Sequence, residues 1–309
     1  MRKISKEMRQ MLDKRGAANL KSKFLLLCTV AALVALFCPA WATATPYLGS
    51  AQSFAVLGHE TVTNGHSAPN PTTQVYGNLG VTPGTSVTGF NPDGTVSGGT
   101  IHINDEDAQR ALADATTAYN TLAGLSITTN LTDQDLGGLT LTPGVYRFNS
   151  SAQLTGALTL DFQGNPNANF VFQVGTALTT GSSSVVNVIN GNSTSGVYWL
   201  MGVTGGSGTG SATLGPDTVF AGNILALASV GLDPRAAILC GRAFALNGGV
   251  TLVDNLISNN NTAEDFDTGR SDFGSYGFSG GSPVPLPPSV YLFGSGLVGL
   301  IGLRRFSRS

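Results

Sequence analysis

The sequence predicts a mainly β protein, a parallel β-solenoid with one long α-helix beside it. Three observations lead to this fold class. Short strand-like runs recur between residues 46 and 258, the same stretch is rich in Gly, Thr, Ser, Asn, Val and Leu but poor in charge, and one segment there has helical periodicity. Recurrence of similar short units is typical of a stacked architecture.

The N-terminal residues 1–44 have the order of a secretory signal peptide. Basic residues, among them Lys21 and Lys23, precede an apolar run at 24–37, and small-residue cleavage sites follow at 40–44. The apolar run is short for a membrane span, so we expect cleavage by signal peptidase. An N-terminal membrane anchor is the alternative.

The composition of the body limits its partners. All five lysines lie before residue 24, and between residues 46 and 282 five arginines face sixteen acidic residues, a net charge of −11. Without a basic patch to neutralise phosphates, nucleic acid is not an expected partner. Cys240 is the one cysteine after residue 38, which excludes an intrachain disulfide and a cysteine zinc site in the body.

Residues from about 105 to 124 predict the helix. The acidic residues Asp105, Glu106 and Asp107 suit a helix N-terminus, and Gly124 suits its end. The apolar stripe that recurs at spacings of three and four is Ala108, Leu112, Ala115, Tyr119 and Leu122. Because this stripe is rich in alanine, we expect the helix to lie close against a flat surface.

After the helix, two kinds of strand alternate. The bulky runs are 145–148, 170–172, 197–200, 219–220 and 238–239. The runs with period-two alternation are 158–160, 186–188, 212–214, 230–232 and 250–252. The centres of the second kind are 28, 26, 18 and 20 residues apart, which predicts five stacked coils of unequal length. A β-sandwich or jelly roll is the alternative fold.

The alternation sends leucines and valines inward and small polar residues outward. If the coils stack in register, Thr159, Asn187, Thr213 and Thr251 form one outward column with a spacing of about 4.8 Å. Ser229 lies beside the Gly231 position of that column.

Two further segments follow the body. Residues 259–283 are rich in Asn, Asp, Gly and Ser and predict a flexible linker. Residues 284–309 combine a proline-rich start, an apolar run at 289–303 and the cations Arg304, Arg305 and Arg308. This order resembles a PEP-CTERM sorting signal, which an exosortase reads in Gram-negative bacteria, although the glutamate of Pro-Glu-Pro is absent. The resemblance implies an extracellular or outer-envelope location, and a plain membrane anchor is the alternative.

Several stretches together resemble the ice-binding-like family. They are residues 48–58, 77–85, 87–90, 141–146 and 241–252. The resemblance spans the predicted domain at 45–258 and implies an irregular right-handed parallel β-helix with a helix packed alongside. It also implies ice binding by one flat face, where some members have Thr-(Ala/Gly)-x-(Thr/Asn). That pattern occurs here as Thr176-Ala-Leu-Thr179 and Thr88-Gly-Phe-Asn91.

These observations predict adsorption to an ice crystal surface and inhibition of ice growth or recrystallisation. The candidate contact residues are Thr159, Thr176, Thr179, Asn187, Thr213, Ser229 and Thr251. Tyrosines at positions 213 and 251 should abolish such activity. The competing interpretation is a structural or adhesive envelope protein that contacts extracellular polysaccharide, and those tyrosines would spare its attachment.

An enzyme is the third interpretation, and the sequence gives it little support. His59, His66 and His102 all precede the helix without metal-ligand spacing, and there is no nucleophile elbow or phosphate loop. We therefore expect no catalytic residue, no metal site and no cofactor.

Overall fold

A computed structural model describes residues 47–66, 72–165, 167–191, 195–204 and 210–259. The predicted signal peptide, the predicted linker at 259–283 apart from Asn259, and the predicted sorting tail lie outside these residues. Within them, no helix is both long and apolar enough to cross a membrane.

The described chain consists of many short strands and one long helix, with a short 3₁₀ turn at Gly49–Ser53. The helix α1 is Glu106–Ala123. The strands are β1 Phe54–Gly58, β2 Thr61–Gly65, β3 Thr73–Tyr76, β4 Asn78–Val81, β5 Ser86–Thr88, β6 Gly94–Ser97, β7 Ile101–Ile103, β8 Thr129–Asn130, β9 Thr140–Leu141, β10 Gly144–Phe148, β11 Ala152–Leu154, β12 Ala157–Asp161, β13 Asn169–Val174, β14 Leu178–Thr180, β15 Val185–Ile189, β16 Gly196–Met201, β17 Ala212–Leu214, β18 Val219–Ala226, β19 Val230–Leu232, β20 Ala237–Ala245, β21 Val250–Val253 and β22 Leu256–Ser258.

The strands pair in parallel and form a solenoid with three faces. The first face has the order β8-β10-β13-β16-β18-β20-β1-β4-β7, and the second has the order β11-β14-β17-β19-β21-β2-β5. The third face has the order β9-β12-β15-β18-β20-β22-β3-β6. Strands β18 and β20 belong to two faces because each bends at a corner, where Gly222 and Cys240 have φ of 97° and 53°.

The order of the coils in space differs from their order in the sequence. The first strands stack on the last ones, with Val56 opposite Ala243, Val62 opposite Val250 and Gln74 opposite Leu256. Helix α1 then carries the chain to the other end of the solenoid, where β8 begins the remaining coils. The two parts of the sequence therefore share one core.

Inward side chains form rows along the solenoid axis. The Phe172 and Trp199 rings stack with centroids 3.8 Å apart and an interplanar angle of 7°. The buried Trp199 Nε1 donates to the Ala221 carbonyl at 3.0 Å, so the row has no unsatisfied indole. Such rows of stacked rings and aliphatic side chains fix the spacing of the coils.

Helix α1 lies against the first face, and its predicted bounds are confirmed. Asp105 caps its N-terminus by accepting the Ala108 N–H at 2.9 Å. At the other end, Gln173 Nε2 donates to the carbonyls of Leu122 and Leu125 at 3.0 and 3.1 Å. The buried residues of the helix are Ala108, Ala111, Ala115, Ala118, Tyr119 and Leu122. Small alanines at this contact allow the helix to approach the sheet closely.

A buried arginine joins the first coil to the last. Arg242 on β20 donates from Nη1 to Asn223 Oδ1 at 2.7 Å and from Nε to the Gln52 carbonyl at 3.2 Å. Burial lowers the pKa of this guanidinium to about 10. The hydrogen bonds to Gln52 tie the N-terminal turn to β20.

The second face contains seven strands, of which five follow the helix, as predicted, and two precede it. The prediction that the alternating runs form one kind of strand was wrong. The alternating runs at 158–160 and 186–188 lie on the third face, whereas those at 212–214, 230–232 and 250–252 lie on the second. Alternation reports which side chains point inward, but it does not report which face a strand occupies.

Candidate functional site

The outward side of the second face carries two columns of small side chains. We define column one by the central residues of its strands, which the strand register places side by side: Thr88, Thr63, Thr251, Gly231, Thr213, Thr179 and Gln153. Column two holds the residues two positions earlier in each coil: Ser86, Thr61, Gly249, Ser229, Ser211, Ala177 and Ser151.

The two columns form a regular grid. Neighbouring strands of a sheet are about 4.8 Å apart, and residues i and i+2 of one strand are about 6.7 Å apart. Seven strands therefore extend about 29 Å along the axis. The grid is a long surface that faces solvent. Its side chains are of nearly equal height because most of them are threonine or serine.

The underside of this face is rigid. Val62, Val230, Val250 and Leu252 point inward from its strands and are 0% exposed. Close packing of such rows leaves the sheet little freedom to bend. The outward hydroxyl and methyl groups are thus held in fixed positions.

Buried polar groups fix the edge of the second face. Asn64 Nδ2 donates to the carbonyls of Gly89 and Asp93, both at 2.8 Å, and its Oδ1 accepts the Thr73 hydroxyl at 2.6 Å. These bonds join β2 to the loop after β5 and to β3. The corner between the second and third faces is consequently anchored from within.

Neither column contains an ionisable side chain, but the exposed Asp135 pairs with Gln153 and continues column one by one position. Further charged groups lie at that corner. Arg235 binds Asp217 with Nε to Oδ1 at 2.7 Å and Nη2 to Oδ2 at 2.8 Å. The hydrogen bonds from Arg235 hold the pKa of Asp217 below its ordinary value. His66 Nδ1 lies 3.1 Å from Asp254 Oδ1 in the same corner. The groups at this corner therefore pair with one another beside the grid, while Asp135 lies at the β11 end of the grid.

The structure separates the candidate contact residues predicted from the sequence. Thr179, Thr213 and Thr251 lie in column one and Ser229 in column two. The predicted single column through Thr159, Asn187, Thr213 and Thr251 was wrong, because the first two pair with each other on the third face. Thr176 is exposed in the bend between β13 and β14. Whether each of these residues contacts ice stays a prediction.

Sequence reasoning missed the part of the grid that the N-terminal strands supply. Thr61 and Thr63 on β2 and Ser86 and Thr88 on β5 alternate with the inward residues Val62 and Val87. The signal was present as Thr-Val-Thr and Ser-Val-Thr, but nothing local shows that β2 stacks on β21. Asn91, the second polar residue of the Thr88-Gly-Phe-Asn91 motif, lies in a turn outside the grid.

The third face presents different side chains to solvent. One outward column runs through the apolar residues Ala157, Val185, Val219, Ala237 and Leu256 and ends at Gln74 and Thr95. Beside it, Thr140, Thr159 and Asn187 form a short polar column. Asp161 lies at the end of β12, where Asn190 donates to its carboxylate at 2.7 Å. That hydrogen bond lowers the pKa of Asp161 and keeps a negative charge on this face.

Other polar clusters in the described residues give no better candidate. A groove at the start of α1 is lined by Ser50, Asp107, Arg110 and Asp114. There the Ser50 hydroxyl donates to Asp114 and Arg110 binds Asp107, at 2.7 and 2.6 Å. Among the residues that the structure describes, no three His, Cys, Asp or Glu side chains are placed to hold a metal ion.

Comparison with known proteins identifies the family. The sequence profile described as ice-binding-like matches residues 56–258. The chain belongs to the ice-binding-like family. An ice-binding protein from Nostoc sp. (strain HG1) is 46% identical over 241 residues, which cover 78% of this chain and 84% of that protein.

Solved structures of ice-binding proteins have a similar fold. One, from an Antarctic biological consortium, has a TM-score of 0.60 and 39% identity and covers 70% of this chain and 92% of that one. Another, from the Antarctic ascomycete Antarctomyces psychrotrophicus, has a TM-score of 0.60 and 35% identity. The match covers 70% of this chain and 98% of the ascomycete protein chain.

Proposed function

We propose that this ice-binding-like protein adsorbs to ice through the second face and so inhibits ice growth or recrystallisation. The observation that carries the proposal is the grid of threonine and serine side chains held in register on a rigid sheet. The relatives named as ice-binding proteins support it.

The chemistry of the grid suits a solid water surface. Each threonine supplies a methyl group, which favours contact that removes apolar surface from water, and a hydroxyl group, which exchanges hydrogen bonds with water. A charged side chain would instead retain its own hydration, because removing a charge from water is costly. A surface without charges is therefore better suited to contact ice.

The regular spacing of the grid provides the affinity. One hydroxyl–methyl pair contributes little, but a rigid array makes many contacts with a repeating lattice at once. Because the array is preorganised by the sheet, little conformational entropy is lost when it adsorbs. No covalent chemistry is needed, and we propose that the protein acts without catalysis.

Ice recrystallisation in a cooled solution of the purified protein tests the proposal. We expect small, faceted crystals whose growth is inhibited, and we expect the double variant Thr213→Tyr/Thr251→Tyr to lose this effect. Each tyrosine ring projects above the threonine plane and keeps the rest of the face from contact. A wild-type protein that leaves crystal size and shape unchanged would contradict the proposal.

We further propose that the protein is exported and displayed on the cell surface. The order of segments at 1–44 and 284–309 supports this location. Fractionation of a Gram-negative host that contains an exosortase tests it. We expect the intact chain in the envelope fraction and a chain without residues 284–309 in the medium, and an identical distribution of the two would refute the sorting role.

A further inference from the structure

Column one has a single position without a side chain, at Gly231. The register places Gly231 directly between Thr213 and Thr251. It divides the threonines of the column into a group of three, Thr88, Thr63 and Thr251, and a group of two, Thr213 and Thr179. The grid is therefore interrupted near its middle.

Column two does not cover this gap. Ser229, on the same coil, accepts the Gly249 N–H with its hydroxyl at 3.4 Å and so turns toward the chain before β21. Gly249 presents no side chain either, and a Cβ added there would lie 2.5 Å from Thr61 Oγ1, so a substitution would require the Thr61 side chain to move. The space above Gly231 stays open to solvent.

The backbone does not require glycine at position 231. Its φ lies outside the left-handed region, and a Cβ built there meets no atom within 4 Å. It occupies the middle of strand β19, where a β-branched residue is favoured over glycine. A threonine at this position would adopt the same register as its neighbours.

We infer that Gly231 limits the ice affinity of the second face by breaking the continuity of column one. This inference rests on the proposed function and names one determinant within that site. A recess one residue wide keeps water that the flanking threonines do not order, so the two groups contact the lattice as separate patches. A threonine there would join them into one continuous column of six.

The expected gain follows from one added contact. Removing one further methyl group from water corresponds to roughly a fourfold increase in affinity. We therefore expect Gly231→Thr to inhibit recrystallisation at a roughly fourfold lower concentration than the wild-type protein.

A second variant separates continuity from the number of threonines. In Gly231→Thr/Thr213→Gly the gap moves by one coil, so four threonines become contiguous while their total is unchanged. If continuity matters, this variant is more active than wild type. If only the number matters, it equals wild type, and that result would overturn the inference.

The experiment measures the concentration that half-inhibits ice recrystallisation for wild type and both variants. Ala157→Thr is the matched control, since it adds an exposed threonine to a strand of the third face; we expect it to leave activity unchanged. Circular dichroism and Tm establish that each variant is folded, and Gly231→Ser replaces Gly231→Thr if the latter is not.

The outcomes distinguish the two proposals. An active wild-type protein whose Gly231→Thr variant is folded but no more active refutes the role of Gly231 and leaves ice binding intact. An inactive wild-type protein refutes ice binding itself, and with it the inference. Equal gains in Gly231→Thr and Ala157→Thr would also overturn the inference, because the effect would not depend on the face.

Discussion

The second and third faces are built from the same parallel strands, yet their solvent sides differ. Column one of the second face is threonine at most positions, whereas the third face has an apolar column through Ala157, Val185, Val219, Ala237 and Leu256 beside the short polar column of Thr140, Thr159 and Asn187. The third face also carries the charge of Asp161, whereas the charges near the second face lie at its corner and, at Asp135, beyond the end of column one. The comparison teaches that the solenoid provides flatness and spacing on every side, and that outward side chains decide which side can contact ice.

The largest expected effect is the difference in ice inhibition between two tyrosine variants of the N-terminal coils, one on the second face and one on the third. Thr63→Tyr places a ring on column one, and we expect a loss of more than about tenfold in inhibition of recrystallisation, since even about 1.4 kcal/mol of lost contact gives tenfold. Thr95→Tyr makes the same substitution at an exposed position of the third face and should retain activity. Equal activity of the two variants would exclude β2 from the contact surface.

The next effect is the difference in stability between substitutions on the inward and outward sides of strand β21. Leu252 is fully buried and its neighbour Thr251 is exposed. Leu252→Ala should lower the free energy of unfolding by about 2–5 kcal/mol, because it leaves a cavity in the core. Thr251→Ala should cost less than about 1 kcal/mol while weakening ice inhibition. Denaturant unfolding measures both, and similar losses of stability would mean that the inward and outward assignment of β21 is wrong.

The smallest effect concerns a charge away from the second face, at the start of α1. The hydrogen bond from the Ala108 N–H lowers the pKa of the Asp105 carboxyl, which caps α1. Its stabilising contribution is therefore complete above about pH 3.9 and is lost as the pH falls through the lower folded-state pKa. Asp105→Ala should cost about 1 kcal/mol of stability.

Ice inhibition should respond to pH differently from stability. Because neither column titrates, we expect constant activity between about pH 5 and 8, the range in which histidine changes charge. A change in activity over this range, without a change in Tm, would show that a titratable group takes part in ice contact.

The sequence predicted the parts of this fold that depend on local patterns. The acids at 105–107, the alanine stripe and Gly124 predicted helix α1 almost to the residue, because helix ends are determined by neighbouring side chains. The alternation at 212–214 and 250–252 correctly gave the inward leucines and outward threonines. Each of these signals comes from residues that are close to one another in the chain.

The candidate site could be predicted only in part, because its assembly is not local. Thr63 lies beside Thr251 although nearly the whole domain separates them in the sequence. Thr159 and Thr213 have the same alternating context, yet Thr159 lies in the strand that follows the second-face strand of its coil, whereas Thr213 lies in a second-face strand itself. Strand pattern predicts the direction of a side chain, while the position of the strand within its coil decides its face.

The most direct measurement of the central claim is partitioning of protein into a slowly growing ice hemisphere, compared for Thr213→Tyr and Thr159→Tyr. Both variants place the same ring at the centre of a strand, one on the second face and one on the third. We predict that Thr159→Tyr enters the ice as the wild-type protein does and that Thr213→Tyr is excluded. Exclusion of Thr159→Tyr together with normal partitioning of Thr213→Tyr would contradict the assignment of ice binding to the second face.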